Sequence, residues 1–324
     1  MLTDNLKGKV KEIWDVLEKE ALVSKMRSIV ENNAVHRDID VIRHTQETFD
    51  LFSTQLYMGD YSEDPLSTYL DQKLDGEFTK RELILISTLF HDLGKVGYGV
   101  NSFGIVKTDE QEETIAPNHE AASCLYTNDL LKRYRLFSGG EDSYLLFLIR
   151  NHSGWPNELY KFYVNTYTHD RVVDIFSPNP LSIEILIYQL LENEHVNTFS
   201  DTAIVIRSLL KNRSLIDKVQ KKGSSLREFF AGSNNEDESI VMLTNIGSRP
   251  WGLTERLAHF SEEVGELFDV YLKVSGVKDR QENRNNVISA MSDIYIDFLV
   301  LLDRYDIKIS EIKKKCLDEL KIVQ

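Results

Sequence analysis

Cysteine is scarce in this chain, with two among 324 residues. Cys124 and Cys316 lie far apart in no paired spacing, which excludes a disulfide framework and a cysteine-built zinc module and points to free thiols. Proline is rare too: the six, at 65, 117, 156, 178, 180 and 250, punctuate loops. Strand alternation is missing, and so is any repeat of fixed period. The opening MLTDNLKGKVKEIWDVLEKEAL spreads charges through an amphipathic pattern and lacks the apolar centre of a signal peptide. No stretch is expected to reach the length that crosses a membrane. Positive charge is in deficit, with 38 Lys and Arg against 52 Asp and Glu, a net −14 and a pI near 5.1. That balance argues against a long footprint on nucleic-acid phosphates, although a small anionic ligand remains compatible with a local cluster of cations. These absences leave a soluble, cytoplasmic protein as the expectation.

What is present is helix. Hydrophobic residues make up 42% of the chain, enough for a substantial core and, at this length, for two domains. Apolar positions recur at helical spacing over 8–30, 38–57, 119–134, 141–152, 181–195, 201–220, 252–274 and 284–304, with a last helix from about 309. The expected fold is all-α. Its expected parts are an N-terminal helical leader at 1–34, a helical bundle at 35–220, a linker at 221–250 and a small helical domain at 251–324. The glycine-bearing, polar stretch 96–118 reads as a long loop or a hairpin, of the length used for lids.

The most informative segment is LILISTLFHDLGK, 83–95. Its isoleucines and leucines leave no polar face, so it is expected to be a buried helix carrying His91 and Asp92 at its end. A buried carboxylate needs protonation, an ion pair or a metal ion. Gly94 then offers a helix stop, and Lys95 leaves a cation beside the pair.

Other imidazoles and acids stand at comparable places. His44 lies in VIRHTQETFDLF, His119 in PNHEAA and His152 at the end of LLFLIRNHSGWP. Glu192, four residues after Tyr188, falls on an apolar face of its helix. His44, His91, Asp92 and Glu192 together would suit Mn, Fe, Ni, Co or Zn better than Ca. The other readings stay open: His119 as a helix-terminal residue, His152 as a cation at a helix C-terminus, Glu192 as a solvated acid. His36, His169, His195 and His259 fit no ligand spacing.

The order His44, then His91-Asp92 with Gly94-Lys95, then a downstream acid resembles the HD superfamily of metal-dependent phosphohydrolases, over roughly residues 35–200. The resemblance implies an all-α bundle in which these residues ligate a divalent metal and phosphate esters, commonly of nucleotides, are hydrolysed. It also implies that His119 and His152 bind a second metal or the substrate phosphates, and that Lys95 contacts phosphate. The chain departs from the family in offering Glu192 where the last ligand is usually Asp.

A second acidic set lies near the C-terminus. HFSEEVGELFDVYL carries Glu262, Glu263 and Glu266, and the next helix carries Asp293 and Asp297. Carboxylates facing one another across two helices suit Mg. The pattern resembles the MazG type of nucleotide pyrophosphohydrolase over about 250–322, which implies Mg at Glu262, Glu263, Glu266 and Asp293 and pairing of two chains into a homodimer. Here the departure is Ala290, which stands where that family has a fourth acid. The leading expectation is therefore an HD-type phosphohydrolase acting on a nucleotide or other small phosphate ester, with no membrane partner. Two alternatives stand beside it: a nucleotide-binding regulator whose two sites have drifted, and a pyrophosphohydrolase whose only catalyst is the C-terminal domain.

Overall fold

The structure is a computed structural model. It describes residues 2–32, 37–58, 61, 65–74, 76–96, 106–107, 114–116, 119–154, 159, 168–196, 200–230, 240–241, 244, 252–275 and 283–322. The fold is all-α, as expected, with two very small two-stranded sheets among the described residues. The chain divides into two units: Met1–Tyr167 with Leu181–Ser233, and Thr168–Pro180 with Asn234–Gln324. The segment Thr168–Pro180 thus groups with the C-terminal unit although it falls inside the range expected for the first.

In the first unit, α1 (Asp4–Lys19) starts where the Thr3 hydroxyl accepts from the Leu6 amide, and it buries Leu6, Ile13, Val16 and Leu17. The helix expected across 8–30 is broken at Ala21, whose φ of 56° lies in the left-handed region. It resumes as α2 (Leu22–Ser28). Strands β1 (Val30–Asn32) and β2 (Arg37–Asp40) pair antiparallel, with Glu31 opposite Ile39. Helix α3 (Val41–Met58) follows, then the short α4 (Leu66–Leu70).

Helix α5 (Lys80–Ser87) opens with a capping box between Thr79 and Glu82. Leu83, Ile84, Leu85, Ile86, Leu89 and Phe90 are all buried, at about 1.5–3 kcal/mol each for the transfer from water. The helix does not run on to residue 95. The Ser87 and Thr88 hydroxyls donate to the carbonyls of Ile84 and Leu85, both at 2.7 Å. Thr88, Leu89 and Phe90 amides then bond three residues back instead of four. The α-helix therefore ends at Ser87 and tightens into turns that continue as a 3-10 segment at Leu93–Val96.

Strands β3 (Val106–Lys107) and β4 (Thr114–Ile115) pair within the expected loop, most of which lies outside the described residues, as does the lid reading placed on it. Helices α6 (His119–Tyr134) and α7 (Gly139–Arg150) follow; α8 (His169–Phe176) belongs to the second unit. The first unit is completed by α9 (Ser182–Val196), α10 (Ser200–Leu210) and α11 (Arg213–Phe230). Residues 221–230, expected in the linker, are helical; the rest of that expected linker lies largely outside the described residues.

In the second unit, α12 (Leu253–Val274) packs on α13 (Arg284–Arg304), and α14 (Ile309–Ile322) follows. One expectation needs correcting here. Helix α13, at 21 residues, is long and apolar enough to cross a membrane by length and composition, a test that core helices also pass.

Candidate metal centre

The tightened turn after α5 is what aims the HD pair. His91 Nδ1 lies 2.7 Å from the carbonyl of Thr88, three residues earlier. A carbonyl only accepts, so Nδ1 carries a proton, and Nε2 is the nitrogen that presents a lone pair in the neutral ring. The same device recurs twice. His119, the first residue of α6, donates from Nδ1 to Ala116 O at 2.9 Å, and His152, just beyond α7, donates to Ile149 O at 2.7 Å. Fixing the tautomer through the distal nitrogen is the usual preparation of a histidine ligand.

The Nε2 atoms converge on Asp92, which is 2% exposed. Its Oδ2 lies 3.2 Å from His91 Nε2 and 3.3 Å from His44 Nε2, which reaches in from α3. Its Oδ1 lies 3.4 Å from His119 Nε2 and 3.9 Å from His152 Nε2. Glu192, on α9, brings Oε1 to 3.5 Å from His91 Nε2 and Oε2 to 3.9 Å from His44 Nε2. Two groups result, each with ligand atoms within 4.8 Å of one another: His44, His91 and Glu192, and Asp92, His119 and His152. Either group could hold a metal ion.

The donor chemistry fits such an ion. Burial pushes His44 and His152 down to about 3, so both are neutral at pH 7 with lone pairs available. Burial alone would lower His91 as well, but the adjoining Asp92 carboxylate outweighs it and raises the imidazole. Burial would likewise raise Asp92, yet His91 and Lys95 hold it well below the usual carboxylate range. Glu192 is pushed up, chiefly by burial. Asp92 Oδ1 has no hydrogen-bond partner among the described residues, which is costly for a buried carboxylate unless a cation answers it.

One cation already does so in part. Lys95, 4% exposed, places Nζ 2.8 Å from Asp92 Oδ2 and 3.0 Å from Glu31 Oε2. Burial would depress this ammonium, but the two carboxylates more than offset that and raise it. Glu31 was not foreseen. Its signal is weak, since a three-residue strand carries no usable period.

Two glycines allow the close packing. Gly94 is not a left-handed helix stop; it lies within the 3-10 segment. A Cβ there would stand 2.5 Å from the Ser123 amide nitrogen and nearer still to the His119 carbonyl oxygen, so it lets α6 bring His119 against the pair. Gly154, with φ of 67°, turns the chain after His152 beside the Gln189 side chain. Tyr188, buried on α9, packs its ring 6.0 Å from that of His91 and 5.9 Å from that of His152.

The C-terminal acids are arranged differently. Glu262, Glu266 and Asp293 are exposed. Glu263 instead meets His259 Nε2 at 3.1 Å, and His259 Nδ1 lies 2.5 Å from Oδ2 of the buried Asp297. Arg256 Nη1 lies 3.1 Å from Asp297 Oδ1. An imidazole set aside at the sequence level therefore stands between two of the carboxylates. Among the described residues, no three of these acids bring ligand atoms within 4.8 Å of one another. Ala290 is buried where the resemblance has an acid.

Comparisons with protein-family models, with curated proteins and with solved structures returned no match.

Proposed function

We propose that the first unit is a metal-dependent phosphohydrolase of the HD type that cleaves a phosphate ester of a nucleotide or a similar small molecule. The observation that carries this reading is the placement of one carboxylate, Asp92, between two groups of preset imidazoles, with Oδ2 toward His44 and His91 and Oδ1 toward His119 and His152. His44, His91, Glu192 and Asp92 would hold one divalent ion, and Asp92, His119 and His152 a second. An imidazole and carboxylate set suits Mn, Fe, Co, Ni or Zn. Such an ion supplies Lewis acidity and brings the pKa of a coordinated water toward about 7.

The chain's own residues do the rest. The three Nδ1 bonds to carbonyls hold the imidazoles rigid, so no reorganisation is needed as charge develops. Lys95 offsets negative charge on phosphoryl oxygens while Glu31 anchors its ammonium. Tyr188 and the apolar wall of α5 keep bulk water from the ligand cluster. The test is a phosphate-release screen of nucleotides and simple phosphomonoesters with Mn, Mg, Co and Ni, with Asp92→Ala as control. Release that needs a transition metal and vanishes in the variant supports the reading; release unaffected by the variant overturns it.

We further propose that the second unit pairs two chains rather than holding Mg. Val264, Phe268 and Tyr271 on α12, and Ile288, Met291 and Tyr295 on α13, are between 40% and 67% exposed. Each trio falls on one helical face. A second copy presenting the same two stripes would complete a four-helix arrangement. Glu263 and Asp297 already have partners within the unit: His259 lies beside both, and the Arg256 guanidinium beside Asp297.

A further inference from the structure

A second buried charge lies in the first unit, away from the ligands. Glu184, in the third position of α9, is 0% exposed. It accepts hydrogen bonds from Tyr144 Oη at 2.7 Å and from Tyr69 Oη at 2.8 Å and 2.9 Å. Lys80 Nζ lies 3.5 Å from it and 3.6 Å from the centre of the Tyr69 ring. All four residues are buried.

The partners come from α4, α5 and α7, and two of these helices lead to the metal centre. Lys80 begins the helix that runs into His91 and Asp92. Tyr144 lies eight residues before His152, and Glu184 lies eight residues before Glu192. Eight helical residues rise about 12 Å, so the Glu184 cluster sits roughly that far back along α7 and α9 from their ligands.

Leucines in these places would fill the space without removing a carboxylate and an ammonium from water, and such replacements often leave stability unchanged or better. Apolar packing alone also tolerates sliding, whereas hydrogen bonds to a carboxylate have direction and length. A one-turn slip of α9 moves its side chains by about 5.4 Å, enough to carry Glu192 away from His91. We propose that Glu184 is a positioning residue: with Tyr69, Lys80 and Tyr144 it fixes the register of α5, α7 and α9, so that His91, Asp92, His152 and Glu192 arrive at one point. This rests on the metal-centre reading above.

The experiment is a Co(II) titration of the full chain, followed by visible absorption, on the wild type, Tyr144→Phe, Glu184→Gln and the apolar pair Glu184→Leu with Lys80→Met. Glu141→Gln serves as control. It removes a buried carboxylate that accepts from the Phe78 amide and caps α7 outside the cluster. The cluster variants are expected to bind Co(II) about tenfold or more weakly, with an altered spectrum. The control is expected to melt earlier with an unchanged spectrum. Wild-type affinity and spectrum in the cluster variants, with only the melting temperature moved, overturn the inference. Tyr144→Phe, which removes one hydroxyl, decides the matter should the others not fold. A wild type that takes up no Co(II) overturns the metal-centre reading and this inference together.

Discussion

Lys95 Nζ stands 2.8 Å from Oδ2 of Asp92, the same oxygen that the imidazoles of His44 and His91 face. The ammonium thus shares its carboxylate with a candidate ligand set. Lys95→Met leaves two carboxylates buried with one cation fewer, and breaking a buried pair in this way costs about 3–5 kcal/mol. In EDTA the variant should unfold at markedly lower urea than the wild type. Added Mn should recover more stability in the variant than in the wild type. Equal gains in the two proteins would show that Lys95 and the metal do not share Asp92.

Asp92 faces both ligand groups, while His119 faces one. Asp92→Ala should therefore empty both sites, and His119→Ala should empty one, taking the metal content measured by atomic emission from about two per chain to about zero and about one. A His119 variant that still carries two ions would place the second site elsewhere.

Gly94 sits where α6 crosses the 3-10 segment, against the backbone of His119 and Ser123. Gly94→Ala cannot be relieved by a side-chain rotation, because backbone atoms are what the new methyl meets. A loss of about 2–3 kcal/mol is expected by chemical denaturation, together with weaker binding at the His119 site. Wild-type stability would mean that α6 shifts freely.

Asp142, in the first turn of α7, is raised to about 6, first by burial and then by the neighbouring Glu141. Its folded pKa therefore exceeds its unfolded value, so the folded state favours the protonated form. That advantage is full below about pH 4 and is lost as pH rises through 6. Asp142→Asn should accordingly stabilise at pH 7.5, by about 1 kcal/mol after allowance for its partial exposure, and do nothing at pH 3.5. Melts at the two pH values check the sign.

The apolar stripes of the second unit predict a dimer. Phe268→Glu with Tyr271→Glu should halve the mass seen by light scattering at micromolar concentration without changing the helical circular dichroism. A wild type that is already monomeric there would remove the pairing proposal.

Much of this architecture can be seen in the residues. The run 83–90 reads as buried because it has no polar face, and it is buried. His91, Asp92 and Glu192 stand out as polar groups on apolar segments, while His44, His119 and His152 are picked out through the pair and the resemblance built on it, and the structure brings all six together. What stays hidden depends on long-range approach. Glu31 meets Lys95 from a strand too short to show a pattern. Glu184 is masked by its own setting, since an apolar helix does not reveal which neighbours will answer one acid. Gly94 looks like a helix stop to any local rule, whereas its reason is the backbone of α6. The end of α5 at Ser87 is missed because hydroxyl side chains take over carbonyl partners, an effect that hydrophobic periodicity does not register. At the C-terminus, spacing found the acids but not His259 and Arg256, which lie on α12 and pair with Glu263 and Asp297.

The β1 strand also bears on where this protein can be cut. A truncation beginning at residue 35 looks harmless, since it would discard only a leader that carries no candidate ligand. It would nevertheless delete Glu31 and leave the Lys95 ammonium, 3.0 Å away in the intact chain, with a single counter-charge. Loss of metal uptake in such a shortened protein would therefore reflect an amputated electrostatic support, even with every ligand still in place.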